Sequence, residues 1–337
     1  MRAISFGDIE KFILLGGGKF MVYVARRLQT EGFKVVVFTA VRHLNEVIDG
    51  KTLRALLEEN SIIYHESEDI NKDAMVSDYI SDKTISLSFG AAWIFKKDFI
   101  DKFHGKLINF HGTRLPQNRG AGGFSWQILR QNKLGFCLMH QVDYGVDTGD
   151  IIKYREFLYP HSCKVPADFM EYHIKENISF FEEFLIEIKS KKNFECISQP
   201  EYLSIYWPRL NTLKHAFIDW SWGLKDIENF INAFDEPYAG GSTFLNNKRV
   251  FLKECYSDYN DGQFHPFQSG MVYRKSNKAI FIAAKEGTLI LKKVMDEANN
   301  NIINDIRIGD RFFTPSKYLE DAKLFRATYT PSGLKEG

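Results

Sequence analysis

A strand–helix–strand alternation across the first half of the chain, and short strands separated by turns in the second, together predict an α/β protein. The expected architecture is a Rossmann-like N-terminal domain followed by a smaller, OB-like C-terminal β-barrel. With 337 residues the chain is long enough to bury two such cores.

The opening unit is an apolar run over 11–15, then Gly16-Gly17-Gly18, then a helical pattern through Leu28. Gly32 ends that pattern, and 34–38 is a second β-rich run, completing a βαβ unit. The triple glycine lacks the G-x-G-x-x-G spacing, and the second strand ends Val37-Phe38-Thr39 instead of in a ribose-binding acid. A tight turn is therefore read there, and a dinucleotide enzyme is rejected. Further strands are expected at 62–64, 84–89, 106–110 and 136–142, with helices at 53–59, 75–80 and 123–130. The segment 167–189 is strongly helical, with Phe169, Tyr172, Ile178, Phe181 and Leu185 at helical spacing. It closes a first domain taken as 1–197. Residues 198–215, with Pro200 and Pro208, read as a connector. A second domain over 216–325 holds a helix at 224–233, a turn at 237–241 and short strands at 248–254, 270–273, 279–283 and 289–294, before a tail at 326–337.

Bulk properties narrow the class. A hydrophobic fraction of 44% with 26% charged residues describes an ordinary globular chain, and a net charge of +1 supplies no broad basic field for nucleic acid. Cys137, Cys163, Cys196 and Cys255 lack disulfide or metal spacing and read as free thiols of a reducing compartment. Asp8, Glu10 and Lys11 precede the apolar 12–15 run, which is no signal-peptide pattern, and no apolar stretch is long enough to span a bilayer. A cytoplasmic location without a membrane partner is expected. The nine histidines show no ligand-like cluster, so no metal is expected, and His140 and His161 read as structural.

The chemistry concentrates in Asn109-Phe110-His111-Gly112-Thr113-Arg114-Leu115-Pro116, Asn118-Arg119-Gly120, and the turn Asp143-Tyr144-Gly145-Val146-Asp147-Thr148-Gly149-Asp150. His111 can exchange a proton near neutral pH, as an attacking amine requires. Asn109, two residues earlier on the same strand face, offers an amide N–H to an oxyanion. Asp147 can orient the imidazole and stabilise its charged form. These are parts for acyl transfer to an amine. Taken singly, a histidine after a strand is often structural and Asp-Thr-Gly-Asp is often only a turn.

The ordered set closely resembles the N10-formyltetrahydrofolate-dependent formyltransferases, which act on methionyl-tRNA, glycinamide ribotide and amino sugars. The resemblance is densest from Leu87 to Ile152 and extends, diluted, over most of the chain. It implies N10-formyltetrahydrofolate as formyl donor, a primary amine as acceptor, and Asn109, His111 and Asp147 as the catalytic set. It further implies that the strand end Phe89, Gly90 and Ala92, the loop Leu115 and Pro116, and Asp143 and Asp150 border the folate. Core packing for Phe89 and turn-capping for Asp143 and Asp150 are the blander readings. Where relatives often carry Ser-Leu-Leu-Pro after the histidine, this chain has Gly112-Thr113-Arg114-Leu115-Pro116, and Gly122-Gly123-Phe124-Ser125-Trp126 replaces an Ala-Ala-Pro-like loop. The segments Ile218-Asp219-Trp220, Ala233-Phe234 and Pro237-Tyr238 resemble the C-terminal domain of methionyl-tRNA formyltransferases. A similar domain occurs in nucleotide-sugar enzymes, and the single-domain glycinamide-ribotide enzymes lack it.

Two acceptors compete. A nucleotide-linked amino sugar needs cations for phosphate, and Arg42, Arg114, Arg119 and Arg209 are candidates, with Trp207 as aromatic surface or interdomain packing. Tyr206-Trp207-Pro208-Arg209 resembles the connector of UDP-amino-arabinose enzymes. Methionyl-tRNA would need a concentrated basic surface, yet acids alternate with the lysines of the C-terminal half. The sugar is the favoured acceptor and nucleic acid the alternative. A binding protein without catalysis would have lost one of the three catalytic residues, and a formyl-folate hydrolase would turn over without an amine. A homodimer is expected from the resemblance alone.

Overall fold

The computed structural model describes residues 2–121 and 123–335; Met1, Gly122 and the last two residues of the 326–337 tail lie outside the described set. The N-terminal part is built on β1 (Lys11–Gly16), α1 (Lys19–Thr30), β2 (Lys34–Thr39), α2 (Val41–Leu44), α3 (Leu53–Glu59), β3 (Ile63–Glu66), β4 (Thr84–Phe89), α4 (Lys97–Asp101), β5 (Leu107–His111), α5 (Phe124–Leu129), β6 (Leu134–Gln141), β7 (Ile151–Leu158) and α6 (Pro166–Lys189). The triple glycine turns the chain from β1 into α1. The expected helix at 75–80 is instead a 3-10 turn, Ala74–Tyr79, capped by Asp73.

Seven strands pair in the order β7-β6-β5-β4-β1-β2-β3. The five from β5 to β3 are parallel, and β6 and β7 join antiparallel. Connections run outward in both directions from β1 and β4, so the sheet has a switch point there, where a crevice opens beyond the carboxyl ends of the strands. Both faces are covered. Phe12, Leu14, Val35 and Val37 meet α1 and α6 on one side, while Ile13, Leu15, Val36 and Phe38 meet Phe99 and Trp93 on the other. The near-continuous apolar reading of β1 and β2 follows from this double burial.

β7 escapes sequence reading because it is an edge strand with alternating charges. Lys153 and Arg155 project from it onto Glu187, Glu183 and Glu176 of α6. The buried face of α6 also differs from expectation. Phe169, Phe181 and Leu185 are buried as expected, but the face also takes in His173, Asn177, Phe180, Phe184 and Ile188 and leaves Tyr172 and Ile178 half-buried.

His173 has a specific place in this face. Its Nε2–H donates to the Phe136 carbonyl at 2.9 Å, and burial pushes its pKa down to about 4. The unfolded chain binds this proton near the ordinary 6.5, the folded chain only near 4, so stability falls as pH drops through that window. The loss is about 3 kcal/mol, and His173→Gln is expected to flatten it, as urea unfolding at neutral and acid pH would read out. The ring also explains Gly112, because a Cβ there would stand 2.7 Å from His173 Cε1. Gly112→Ala is expected to cost about 1–3 kcal/mol by overpacking, measured as a lowered denaturant midpoint.

The C-terminal part contains α7 (Thr212–His215), α8 (Leu224–Ala233), β8 (Gly241–Leu245), β9 (Lys248–Asp258), β10 (Val272–Lys275), β11 (Ile280–Ala284), β12 (Gly287–Met295), β13 (Phe312–Phe313), α9 (Ser316–Leu324) and a terminal hairpin, β14 (Tyr329–Thr330) with β15 (Gly333–Leu334). The sheet order β10-β11-β12-β9-β8-β13 is antiparallel, and its edges meet: the Phe312 N–H donates to the Gly270 carbonyl at 2.9 Å and the Val272 N–H to the Asp310 carbonyl at 2.8 Å. This closes the sheet into a barrel, with α8 laid across its core of Leu252, Ile280, Leu289 and Leu291. β8, β13 and α9 were not legible in the sequence. A separate cluster of Ile128, Phe169, Ala233 and Phe234 fastens α5 and α6 to α8, joining the two parts just behind His111.

Candidate active site

β5 and β4 end at the switch point, and strand alternation sorts their side chains. Phe110 turns into the apolar layer and stacks on Phe89 at 4.9 Å, leaving Asn109 and His111 on the opposite face. β6 runs antiparallel to β5 with His140 directly opposite Asn109. The 142–150 turn returns Asp147 to the same place, in the left-handed backbone region at φ 56°.

Hydrogen bonds fix the orientation of each group. A carbonyl can only accept, so His111 carries its proton on Nε2 and donates it to the Asn118 carbonyl at 2.8 Å, with the Thr113 hydroxyl at 2.9 Å. Its Nδ1 is left free, 3.8 Å from Asp147 Oδ1. His140 donates Nδ1–H to the Gln141 carbonyl at 2.8 Å, so its Nε2 accepts from Asn109 Nδ2 at 3.1 Å. This spends one amide hydrogen of Asn109 and leaves the other available. Asp147 Oδ2 accepts the Gly120 N–H at 2.8 Å, and its Oδ1 lies 3.5 Å from His140 Nε2.

The electrostatics follow from burial. Desolvation pushes the His111 pKa down, against the pull of Asp147, so the imidazole is neutral at pH 7. Burial alone would raise Asp147, but in the acid range where it titrates its attraction to protonated His111 and His140, with the Gly120 N–H, outweighs burial and holds the carboxyl down to about 2. The pair is a buried neutral base beside a permanent anion that favours charging it.

Two cavities meet at this point. One, of about 510 Å³, has apolar walls from Trp93, Ile94, Phe95 and Val142 and polar groups from Asn109, His140, Asp143 and Asp147. The other, of about 310 Å³, lies toward Ser125, Trp126, Phe234 and Tyr238. His111, Gly120, Ala121 and Arg209 belong to both walls.

The sequence candidates divide accordingly. Gly90, Ala92, Asn109, His111, Asp143, Asp147, Arg42 and Arg209 all line the larger cavity. Phe89 does not; it is core. Leu115 packs with Leu138 and Ile151, and Pro116 is buried with its carbonyl accepting the Ile205 N–H, so this loop faces inward instead of over the cavity. Asp150 lies 3.6 Å from Arg2, away from both cavities. Arg114 is exposed and lines neither. Arg119 is buried and committed to Glu201 at 2.7 Å and Gln199 at 3.2 Å, which removes it as a phosphate ligand. Trp207 packs against Trp126 at 4.9 Å and donates to the Gln117 carbonyl at 3.0 Å, so it seats the connector on the N-terminal part and joins neither cavity wall.

Two positions at the candidate site escaped the sequence. His140 is no isolated structural histidine: with His111 and Asp147 it places three donor atoms within 4.8 Å of one another. Gln199, in the connector, donates to the Asp147 and Gly149 carbonyls at 2.9 and 2.7 Å and so holds the turn that carries Asp147. Neither sits in a local motif; the β5–β6 register and the connector's path bring them in.

Comparison with known proteins agrees with this geometry. Residues 11–162 match the model of a formyl transferase, and 212–304 match that of a formyl transferase C-terminal domain. A methionyl-tRNA formyltransferase from Ruminiclostridium cellulolyticum is 26% identical over 242 residues, 70% of this chain and 74% of its own length. Another, from Rickettsia bellii, is 25% identical over 317 residues, 90% of this chain and 98% of its own. Among solved structures, the fold is shared with WlaRD, a sugar 3N-formyl transferase, at TM-score 0.63 and 20% identity, covering 85% of this chain and 98% of that one. An N-formyltransferase from Helicobacter canadensis superposes equally well, at TM-score 0.63 and 19% identity over 85% and 99% of the two chains. The fold, the site at its switch point and both matched regions lead to one conclusion: this chain is an enzyme of the formyl transferase family.

Proposed function

We propose that the protein is an N-formyltransferase moving the formyl group of N10-formyltetrahydrofolate to the primary amine of a nucleotide-linked amino sugar. The observation that carries it is the position of His111 on the wall shared by two cavities, so that a donor in the larger one and an amine brought to their junction meet at its free Nδ1. The larger cavity suits a flat heteroaromatic ring, with apolar faces from Trp93 and Val142 and the Gly90–Ala92 strand end and Asp143 along its edge. When bound, the folate supplies a formyl carbon open to attack and a nitrogen leaving group.

The chain's own residues do the rest. The free amide hydrogen of Asn109 meets the negative charge that develops on the formyl oxygen. His111 Nδ1 takes the amine's proton and returns it to the departing nitrogen, while Asp147 stabilises the imidazolium in between. His140 fixes the Asn109 amide, and Gln199 fixes the turn that carries Asp147. His111, His140 and Asp147 are close enough together to hold a metal ion, but no step of this reading calls for one. Dialysis against a chelator is expected to leave the transfer rate unchanged; a loss restored by a divalent ion would refute this.

The sugar acceptor is supported by the near-neutral net charge, by Arg42 and Arg209 in the cavity, which have no salt-bridge partner among the described residues, and by WlaRD and the Helicobacter canadensis enzyme, whose structures hold dTDP and dTDP-3-aminofucose. Methionyl-tRNA is the second reading, favoured by the names of the sequence relatives. The test is incubation with formyl-tetrahydrofolate and UDP-, dTDP-, GDP- and CMP-linked amino sugars beside charged initiator tRNA. Gain of one formyl group by a sugar is expected; formylation of the tRNA alone would establish the rival.

A further inference from the structure

Beyond the barrel, the chain turns back onto the catalytic cavity. The His215 Nε2–H donates to the Phe325 carbonyl at 3.1 Å, and the two rings pack at 5.4 Å. The hairpin β14–β15 then reaches α2, where the Arg42 main-chain N–H donates to the Pro331 carbonyl at 3.4 Å. Between these anchors, Ala327, Thr328 and Tyr329 form part of the wall of the cavity that holds Asn109, His111 and Asp147. Residues 325–335 are therefore a strap that ties the barrel side to the sheet side across the site. They lie outside both matched family regions, the later of which ends at 304.

Tyr329 occupies a particular position in the strap. Its hydroxyl accepts from Asn211 Nδ2 at 3.1 Å, and its ring lies 4.6 Å from the Arg209 guanidinium and 5.9 Å from that of Arg42. Two like charges thus share one ring. Among the described residues neither guanidinium has a carboxylate within 4.0 Å, and Arg42 Nε is buried without a hydrogen-bond partner. The Glu46 carboxylate near α2 lies instead 3.7 Å from His43 Nδ1. The remaining acids of the wall are accounted for: Asp143 accepts from Thr148 Oγ1 at 2.5 Å, and Asp147 belongs to the catalytic set. Two planar donor forks facing one cavity without an anion between them have the chemistry of an oxyanion site, and two forks match a diphosphate better than a single carboxylate.

We propose that the C-terminal strap is a substrate-binding element, in which Tyr329 holds Arg42 and Arg209 apart and oriented to grip the diphosphate of the acceptor along the cavity wall. This deepens the nucleotide-linked reading above and rests on it for the identity of the acceptor, but not for the anion site itself. Stacking on Tyr329 keeps the exposed Arg209 over the cavity instead of in solvent. The strap also makes the site a composite of the sheet, the connector and the chain's last residues. The same oxyanion chemistry is carried by the glutamyl tail of the folate, and the measurement must separate the two.

Calorimetric titration of the full chain with inorganic pyrophosphate, with UDP, and with formyl-tetrahydrofolate does so. Pyrophosphate and UDP are expected to bind the wild type, and to bind Arg42→Ala/Arg209→Ala and Tyr329→Ala at least roughly tenfold more weakly. Tyr329→Phe, which keeps the ring, is expected to retain most of the affinity, and any loss of formyl-tetrahydrofolate affinity in the variants is expected to be smaller than the loss for pyrophosphate and UDP. Failure of the wild type to bind pyrophosphate, or unchanged binding by Tyr329→Ala, overturns the proposal. So does a loss confined to formyl-tetrahydrofolate, which would assign the arginines to the glutamyl tail. Formylation of no sugar in the acceptor panel, with pyrophosphate binding still dependent on Tyr329, would refute the acceptor reading and leave the anion site standing.

Discussion

His111→Ala is expected to lower kcat by roughly 10²- to 10⁴-fold, the span that a positioned general acid–base supplies. The ring lies at the junction of both cavities, and its Nδ1 is the free nitrogen beside Asp147. Asp147→Asn is expected to lose a comparable share, because a neutral amide no longer stabilises the imidazolium. The double variant is expected to be scarcely worse than either single one, since groups that act as a unit are not additive. Near-normal rates in a folded His111→Ala protein, with folding checked by circular dichroism, would remove His111 from the chemistry. The pH profile carries the same information. Burial holds the His111 pKa below its ordinary 6.5, so the rate is expected to stay level through that pH and fall only at lower pH. Asp147, held at about 2, stays ionised throughout and contributes no limb of its own.

Asn109→Ala is expected to cost roughly 10²- to 10³-fold in kcat, about 3–4 kcal/mol of transition-state stabilisation, with little change in KM for the donor. The reasoning is geometric. His140 accepts one amide hydrogen, and the second is presented where a formyl oxygen would gain charge. His140→Phe is expected to reproduce part of this loss, because the amide of Asn109 would then be free to rotate. Steady-state kinetics separate the cases: a rise in KM with kcat preserved would show that Asn109 only binds the donor.

The residues of local motifs were legible in the sequence, and those assembled by register or by distant loops were not. Asn109 and His111 announce themselves by lying two apart at the end of an apolar strand, where alternation must place them on one face. Asp147 could be read because the turn that bears it is dense in Asp and Gly. His140 could not, since its place opposite Asn109 depends on an antiparallel register that no short stretch encodes. Leu115 and Pro116 misled because an apolar loop after a catalytic histidine looks like a lid, whereas Leu138 and Ile151 offer it a buried seat. Arg119 looked free for phosphate until Gln199 and Glu201 arrived from the connector. In the fold, the doubly buried strands β1, β2 and β4 were plain from their apolar runs, while the charged edge strand β7 was hidden by the ion pairs that stabilise it. Tyr329 lies in the chain's tail, far from any motif, and only the return of the hairpin to α2 brings it to the site.

The measurement closest to the centre of this account is a crystal structure of the protein with 5-formyltetrahydrofolate, a stable isomer of the donor. The pterin is expected in the larger cavity and the formyl group at the junction, with Asn109 Nδ2 and His111 Nδ1 within about 3–4 Å of it. A folate bound elsewhere, or in that cavity with its formyl group turned away from both side chains, would contradict it.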